Sequence, residues 1–265
     1  MINLIKADLY KMSKMSSLYT SILICCCSAV GIAYILYGIQ KGDFDAKMST
    51  SVSLLVDIML VSLLGGVLTG GIISSDFESK NIHNEIACGK GRFSIVISKL
   101  VAFSIAMICI TLPYAITAVV GFGIDAKFSR LVGIPSQFFD VMSNVCNVEN
   151  DGAAIGKAVL ICLLVVFMYV ARLSICIPVA FKFRKSIPVI IVGFISAFVF
   201  DIIASLVQDI PGVSDLFSFL PYSMITNCTM NADSGDIVKI LLSGTAFIVA
   251  MVAISYALFR KDEIK

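Results

Sequence analysis

The stretch SSLYTSILICCCSAVGIAYILYGIQ (residues 16–40) contains no charged residue. A helix of about 20 apolar residues is long enough to cross the ~30 Å hydrocarbon core of a bilayer. The uncharged run is longer than the roughly 7–15 apolar residues of a signal peptide, and no A-x-A-like cleavage site follows it. The sequence therefore predicts that this stretch is a membrane-spanning helix that the protein retains.

The composition of the whole chain agrees with a membrane location. Hydrophobic residues make up 58% of the 265 residues and charged residues 14%, and the mean hydropathy is +0.98. Soluble domains average about 45–50% apolar and about 25% charged residues, so one soluble core cannot bury this excess. The net charge of +2 gives no indication of a nucleic-acid partner. We expect an all-α polytopic membrane protein whose main partner is the lipid bilayer.

Six apolar runs predict six transmembrane helices within a single transmembrane domain that covers residues 1–265. The spans are expected at about residues 17–38, 50–75, 99–123, 155–181, 187–207 and 237–259. Pro113 interrupts the third run, which helices embedded in lipid tolerate. The connections include a charged segment at 76–93 and two longer outer loops at 125–152 and 208–235, the first with short helices lying against the outer surface.

The distribution of Lys and Arg predicts the orientation, because short cytoplasmic connections carry an excess of both. Most of the 20 basic residues fall on the side that also holds the two termini: Lys6, Lys11, Lys14, Lys80, Lys90, Arg92, Lys99, Lys182, Arg184, Lys185, Arg260, Lys261 and Lys265. We therefore predict a multi-pass protein of the cytoplasmic membrane with both termini in the cytoplasm.

The residues before the first span predict an interfacial helix over residues 1–15. Ile2, Ile5, Leu9 and Met12 recur at helical spacing, and lysines lie on the opposite face. Such a stripe is typical of a helix that lies in the membrane interface. The alternative is a basic tail that only sets the topology.

Three charged residues fall well inside predicted spans, away from the span edges: Asp57, Arg172 and Asp201. Such a group costs at least ~2.5–3.5 kcal/mol at the centre of a bilayer, so it usually faces protein or water and has a partner. Two interpretations stay open. The three residues line a polar substrate path, or Arg172 forms an ion pair with Asp201 between helices or extends towards the interface.

Nucleotide and metal chemistry on this chain is not expected. The Gly89-Lys90 pair of CGKGRF is preceded by Asn84 at the position where a phosphate-binding loop needs its first glycine, and is followed by Gly91 where the loop needs Ser or Thr. His83 is the only histidine, no C-x-x-C pair occurs, and a zinc cluster is therefore not predicted. We expect no catalytic residue, cofactor or metal on the chain, although an intramembrane enzyme that uses Asp57 and Asp201 remains an alternative.

Nine cysteines give little further information, because most of them lie within predicted spans, where a thiol behaves as a small apolar group. Cys146 and Cys228 fall in the outer loops. They either form a disulfide there or remain two free thiols.

The charged segment DFESKNIHNEIACGKGRFSIVISKL (residues 76–100) predicts a short amphipathic helix between the second and third spans. Ile82 and Ile86 are one turn apart, Ser79 or Asn81 is placed to cap the helix start, and Gly89 to end it. Apolar anchors within a charged rim are typical of a small docking surface. The alternative is a solvated loop whose charges only enforce the topology.

The order Glu78, Asn81-Ile82, Gly89, Gly91-Arg92 and Ser98-Lys99, together with the opening INLIKADLYKM, resembles the permease subunits of the type-2 class of ATP-binding-cassette (ABC) exporters. The resemblance implies six spans, an interfacial N-terminal helix and a cytoplasmic coupling helix between spans two and three. It also identifies eight candidate residues for coupling to an ATPase: Phe77, Glu78, Asn81, Ile82, Glu85, Ile86, Gly89 and Arg92.

The resemblance further implies a separate ATPase subunit, which would carry the ATP and Mg, and a second permease in a homodimer or heterodimer. Candidate substrates of such an exporter are an antimicrobial peptide, a drug or a lipid-like molecule. A secondary carrier is one alternative, although it would usually show paired broken helices, and Pro113 gives only one candidate break. A channel or a membrane scaffold is the other.

Overall fold

The computed structural model describes residues 1–44, 56–123, 136–139, 152–207, 217, 219–225, 228–229 and 232–261. These residues form helices and contain no β-strand. The helices are α1 (Ile2–Ser13), α2 (Ser16–Lys41), α3 (Asp57–Thr69), α4 (Ser75–Glu78), α5 (Asn81–Ala87), α6 (Arg92–Gly123), α7 (Gly152–Leu173), α8 (Cys176–Phe183), α9 (Ser186–Val207), α10 (Pro221–Met224) and α11 (Ser234–Lys261). A π-helical turn, Gly70–Ser74, connects α3 to α4.

Five helical stretches in the described part of the chain are long and apolar enough to cross a membrane: Ser16–Ile39, Asp57–Glu78, Arg92–Gly123, Ala154–Phe183 and Ser234–Arg260. The predicted all-α membrane character is therefore confirmed. The remaining predicted span, at about 187–207, corresponds to α9. Its apolar part, Ser186–Phe200, is shorter than the five stretches above.

Two of the helical stretches differ in detail from the predicted spans. The third span begins at Arg92 and not near residue 99, so Lys99 lies inside α6 and is fully buried. Lys99, which the sequence analysis counts among the basic residues of the cytoplasmic side, is thus a buried side chain, and the acidic groups that surround it explain the burial. The fourth predicted span is interrupted between α7 and α8, where the Ser174 hydroxyl donates to the carbonyl of Ala171 at 2.7 Å. Pro178 lies in the first turn of α8, which accepts proline.

Helices α3 and α9 cross at very short range because both present small residues. Ser62, Gly66 and Gly70 follow one another at four-residue spacing on α3 and the π-helical turn, and Gly193 faces them from α9. A Cβ atom added to Gly66 would lie 3.1 Å from the Cα of Ile190, and one added to Gly193 would lie 3.0 Å from the Cα of Gly66. Small residues at such crossings let helix backbones approach closely in membrane proteins.

Helix α1 is rotated relative to the predicted apolar stripe. Its buried residues are Leu4, Asp8 and Met12, whereas Ile2 is 69% exposed. Ile5 is half-buried and Leu9 packs against the core. The burial of Asp8, which contacts Ser98 and Lys99 of α6, explains the rotation. Helix α1 therefore packs on the third span with a polar contact at the centre of its inner face.

Several predicted features lie partly or wholly outside the described residues. They include most of the two outer loops, the side chain of Asp201, and Cys146. Cys228 is buried as a free thiol. Residues 136–139 are the described part of the first outer loop, and all four are buried rather than lying on the outer surface.

Candidate functional site

The segment between the second and third spans forms the predicted short helix, α5, at the end of the bundle where α1 lies. Ile82 is only 1% exposed, and Ile86 packs against the chain's own core. The predicted exposed isoleucine pair is therefore wrong for Ile82, because that side chain anchors α5 to its own protein. Within residues 81–90 the exposed side chains are polar or small: Asn81, Asn84, Ala87, Cys88, Gly89 and Lys90.

The two ends of α5 are built differently. At its start, Lys80 adopts a left-handed conformation with φ 57° and no side chain caps the helix. The predicted caps serve elsewhere: the Ser79 hydroxyl donates to the Ser75 carbonyl at 2.7 Å, and Asn81 donates to Asp76 at 3.1 Å. At its end, Gly89 has φ 76°, as the prediction that it stops the helix requires.

The hydrogen bonds at that C-terminal end follow the Schellman pattern. The Gly89 amide donates to the Ile86 carbonyl at 2.9 Å, and the Lys90 amide donates to the Glu85 carbonyl at 3.2 Å. The left-handed backbone at Gly89 then turns the chain directly into α6. Helix α5 is thus a well-defined single unit between two spans.

A group of polar side chains with a buried centre, the junction cluster, connects α5 to its neighbours. It consists of Asp8 and Lys11 of α1, Asp76 of α4, Asn81 and Glu85 of α5, and Ser98 and Lys99 of α6. Lys99 is its centre. The Lys99 Nζ atom, which is fully buried, lies 2.5 Å from Asp8 Oδ1, 2.6 Å from Asp76 Oδ2 and 3.6 Å from Glu85 Oε1.

The outer members of the junction cluster complete its hydrogen bonds. Lys11 pairs with Asp76 and also donates to the Ser75 hydroxyl at 3.2 Å. The Ser98 hydroxyl donates to Asp8. Each carboxylate of Asp8 and Asp76 therefore has a cation and a neutral donor, as buried charges require.

Glu85 is the least satisfied member of the junction cluster. Its Oε2 atom is buried and has no hydrogen-bond partner. Burial raises the pKa of the Glu85 carboxyl above its ordinary value, while Lys99 opposes this shift and the carboxylates of Asp8 and Asp76 add to it. With Glu85 ionised, the cluster contains three carboxylates and two ammonium groups.

The same three carboxylates have oxygen atoms within 4.8 Å of one another, which is a spacing that a metal ion could use. The ammonium group of Lys99 lies within 2.5 to 3.6 Å of all three side chains and supplies the positive charge at that point. The arrangement is therefore an ionic joint between helices.

Three other predicted coupling residues contact different parts of the same chain. The Arg92 guanidinium donates to the carbonyls of Phe259 at 2.9 Å and Arg260 at 2.6 Å. These carbonyls belong to the last turn of α11, where a cation is favourable. Glu78 accepts from the amide of Ser186 at 3.1 Å, and the Phe77 ring meets the rings of Phe181 and Phe259 edge to face.

At the opposite end of the second span, Asp57 is fully buried. Its Oδ2 atom accepts from the Tyr169 hydroxyl at 2.9 Å and from the backbone amides of Gln137 at 3.0 Å and Phe138 at 3.4 Å. The Phe138 ring is stacked between Tyr114, at a centroid distance of 6.0 Å, and Tyr169, at 5.7 Å. None of the ion pairs between described residues includes Asp57.

Arg172 is also fully buried, so it is surrounded by protein and does not extend into the interface. Its guanidinium carbon lies 4.9 Å from the centre of the Tyr222 ring, and the Tyr222 hydroxyl donates to the Arg172 carbonyl at 2.8 Å. Phe200 stacks on Tyr222 at 3.7 Å. The predicted ion pair with Asp201 concerns a side chain outside the described residues.

The prediction missed Asp8 and Tyr169, and it misplaced Lys99. Asp8 gave a usable signal, since it lies at four-residue spacing between Leu4 and Met12, on what is otherwise an apolar face. Tyr169 gave none, because a tyrosine within an apolar span is usually a packing residue. Comparison with models of known protein families and with curated protein sequences gives no match for this chain.

Proposed function

We propose that the chain is the permease subunit of an ATP-driven exporter of the type-2 ABC class. A separate ATPase subunit would bind and hydrolyse the ATP with Mg, and two permeases would form one transporter as a homodimer or heterodimer. The observation that carries the proposal is the position of α5, which lies between two spans, exposes one face and is joined to the spans by the junction cluster.

The junction cluster gives α5 a stiff connection to the bundle. Asn81 and Glu85 reach Asp76 and Lys99, and Ile82 lies in the apolar core on the same side of the helix. Separating buried ion pairs is costly, so a displacement of α5 moves its neighbours with it. A partner that pushed on the exposed face of α5 would therefore shift α1 and the ends of the second and third spans together.

The exposed face of α5 is the surface that we assign to the ATPase. Asn84, Ala87 and Cys88 are its central exposed residues. This assignment replaces the predicted anchor Ile82, which is occupied within the chain. In the proposed topology this end of the bundle is cytoplasmic, α9 is the fifth of six spans, and the substrate is a peptide, a drug or a lipid-like molecule.

The test is co-purification of the chain with an ATPase encoded beside it, followed by measurement of ATP hydrolysis. Ala87→Glu places a charge in the centre of the exposed face and should reduce both complex formation and stimulation of hydrolysis by about tenfold. Ser13→Glu adds the same charge at an exposed position of α1 and is the matched control.

We expect both variants to reach the membrane at equal levels, because each altered side chain is exposed, and the comparison is made at matched levels. Full assembly and full stimulation in the Ala87→Glu variant would contradict the assignment of this face. If the unmodified chain binds no such ATPase and stimulates none, the exporter proposal itself fails.

A further inference from the structure

Residues 136–139 enter the end of the bundle that lies opposite the junction cluster. Ser136 and Phe138 are fully buried, Phe139 is 1% exposed and Gln137 is 6% exposed. The segment follows the third span in sequence and precedes the fourth, yet it contacts the start of the second. It therefore closes one end of the bundle by insertion between helices.

One atom holds the backbone of this segment. Asp57 Oδ2 accepts from the amides of both Gln137 and Phe138, and the Tyr169 hydroxyl of α7 donates to the same oxygen. Asp57 Oδ1 is buried without a hydrogen-bond partner. The Ser136 side chain of the same segment also interacts with the Asp57 carboxyl. The polar attachment of the segment to α3 thus depends on one carboxyl group.

Other contacts of the segment are aromatic. Phe138 stacks between Tyr114 of α6 and Tyr169 of α7, and the Tyr114 hydroxyl is hydrogen-bonded to Ser28 of α2. Stacked rings of this kind add only modestly to the gain from burial. These contacts place the segment accurately without an ionic bond.

We propose that residues 136–139 form a latch that closes this end of the bundle, and that Asp57 is its release point. A permanent plug would be held more favourably by apolar residues, because a buried carboxyl must lose its water each time the segment closes. When the segment leaves, water replaces the hydrogen bonds of Asp57 and of the two amides. The closed and open states then differ by a small free energy, as a switchable element requires.

In the proposed exporter, this end faces away from the ATPase, so a substrate would leave past the latch. That role rests on the proposed function, whereas the closure by Asp57 does not. The test of the latch therefore uses the purified full-length chain in detergent, where the orientation in a membrane does not matter.

The measurement is the rate at which a thiol reagent labels a Gln137→Cys variant from which the native cysteines have been removed. Asp43→Cys, at an exposed position beyond α2, is the control for reagent activity and for general accessibility. Gln137→Cys should react slowly in the otherwise unmodified chain, because residue 137 is buried. Adding Asp57→Ala should accelerate the labelling by about tenfold or more, since all three hydrogen bonds to Oδ2 are lost.

Asp57→Asn is the matched variant. The asparagine carbonyl oxygen can take the place of Oδ2, and its amide nitrogen would take the place of Oδ1, which has no partner to lose. Labelling at 137 should stay slow in this variant. Tyr169→Phe removes one donor of three and should give an intermediate rate, which keeps the test informative if Asp57→Ala does not fold.

Equally slow labelling in the Asp57→Ala, Tyr169→Phe and unmodified backgrounds would show a static plug and overturn the latch. Fast labelling in the unmodified background would overturn the closure itself. In the complex with the ATPase, ATP should change the labelling rate. If the rate depends on Asp57 but not on ATP, the latch stands and its link to transport is wrong.

Discussion

The two ends of the second span bury their polar groups in contrasting ways. At the α4 end, Asp76 meets the ammonium groups of Lys11 and Lys99. At the α3 start, Asp57 meets two backbone amides and a tyrosine hydroxyl. An ionic joint loses strongly when one partner is removed, because an uncompensated charge stays behind. A carboxyl group that is held only by uncharged donors loses less stability when one donor is removed. The first arrangement therefore suits transmission of force, and the second suits opening.

The largest effect is expected for Lys99→Met, which leaves the carboxylates of Asp8 and Asp76 without their central cation. Removing one partner of a buried ion pair costs about 3–5 kcal/mol. We expect a large loss of folded protein, measured as the fraction that elutes as a single species after heating in detergent. Lys90→Met, at an exposed position beyond α5, should behave like the unmodified chain. A Lys99→Met variant as stable as the unmodified chain would show that the ionic contacts at the α4 end do not hold the protein together more strongly than the uncharged donors at Asp57.

The second prediction tests whether the junction region depends on the last span. Arg92→Ala removes two hydrogen bonds from a guanidinium group to the end of α11. Bonds to charged groups contribute about 1.5–3 kcal/mol, so the melting temperature should fall clearly. Arg260→Ala removes a basic charge from the same turn but leaves the accepting carbonyls, and it should have little effect. Equal melting temperatures for the two variants would show that general charge, and not capping, is what matters.

The third prediction concerns the close crossing of α3 and α9, which lies between the two ends of the second span. Gly66→Ala brings a methyl group within 3.1 to 3.3 Å of backbone atoms of Ile190 and Val189, which cannot yield as a flexible side chain could. Overpacking of this kind costs about 1–3 kcal/mol. Gly31→Ala in α2, where nothing lies within 4 Å of the added atom, should be neutral or slightly stabilising. A melting curve in detergent distinguishes the two.

The smallest effect is the pH dependence of Glu85. Its pKa is raised by burial, so the folded chain holds this proton more tightly than the unfolded chain. The stabilisation is fully present below the ordinary pKa of 4.5 and is lost as the pH rises through the raised value. Glu85→Gln should therefore flatten the fall in stability with rising pH in that window. A slope of melting temperature against pH that is identical in both chains would contradict the assignment.

Local sequence patterns predicted many of the helices and their ends, because interactions between residues close in sequence determine those elements. An uncharged run such as 16–40 must satisfy its own backbone in lipid, and it forms the helix α2. Gly89 ends α5 because a left-handed turn favours glycine. In both cases the deciding residues are neighbours in the sequence.

The junction cluster depended on contacts that no local pattern contains. Lys99 and Asp8 are 91 positions apart, and their pairing reverses the meaning of both residues. Lys99, which lies at the edge of a predicted span, is the centre of the cluster, and the buried face of α1 lies against it. Ile82 is a similar case. Its apolar side chain predicted that it would be buried, but not whether its own chain or a partner would bury it.

The bond from Arg92 to the end of α11 also bears on how the protein is assembled. Residues 92 and 259 are separated by 167 positions, so the segment between the second and third spans is synthesised long before its attachment point on α11. Until the final span has inserted, the guanidinium group has no carbonyls to bind. A chain truncated before α11 would therefore hold the segment between the second and third spans loosely, and a defect in α11 would reach the exposed face of α5 directly.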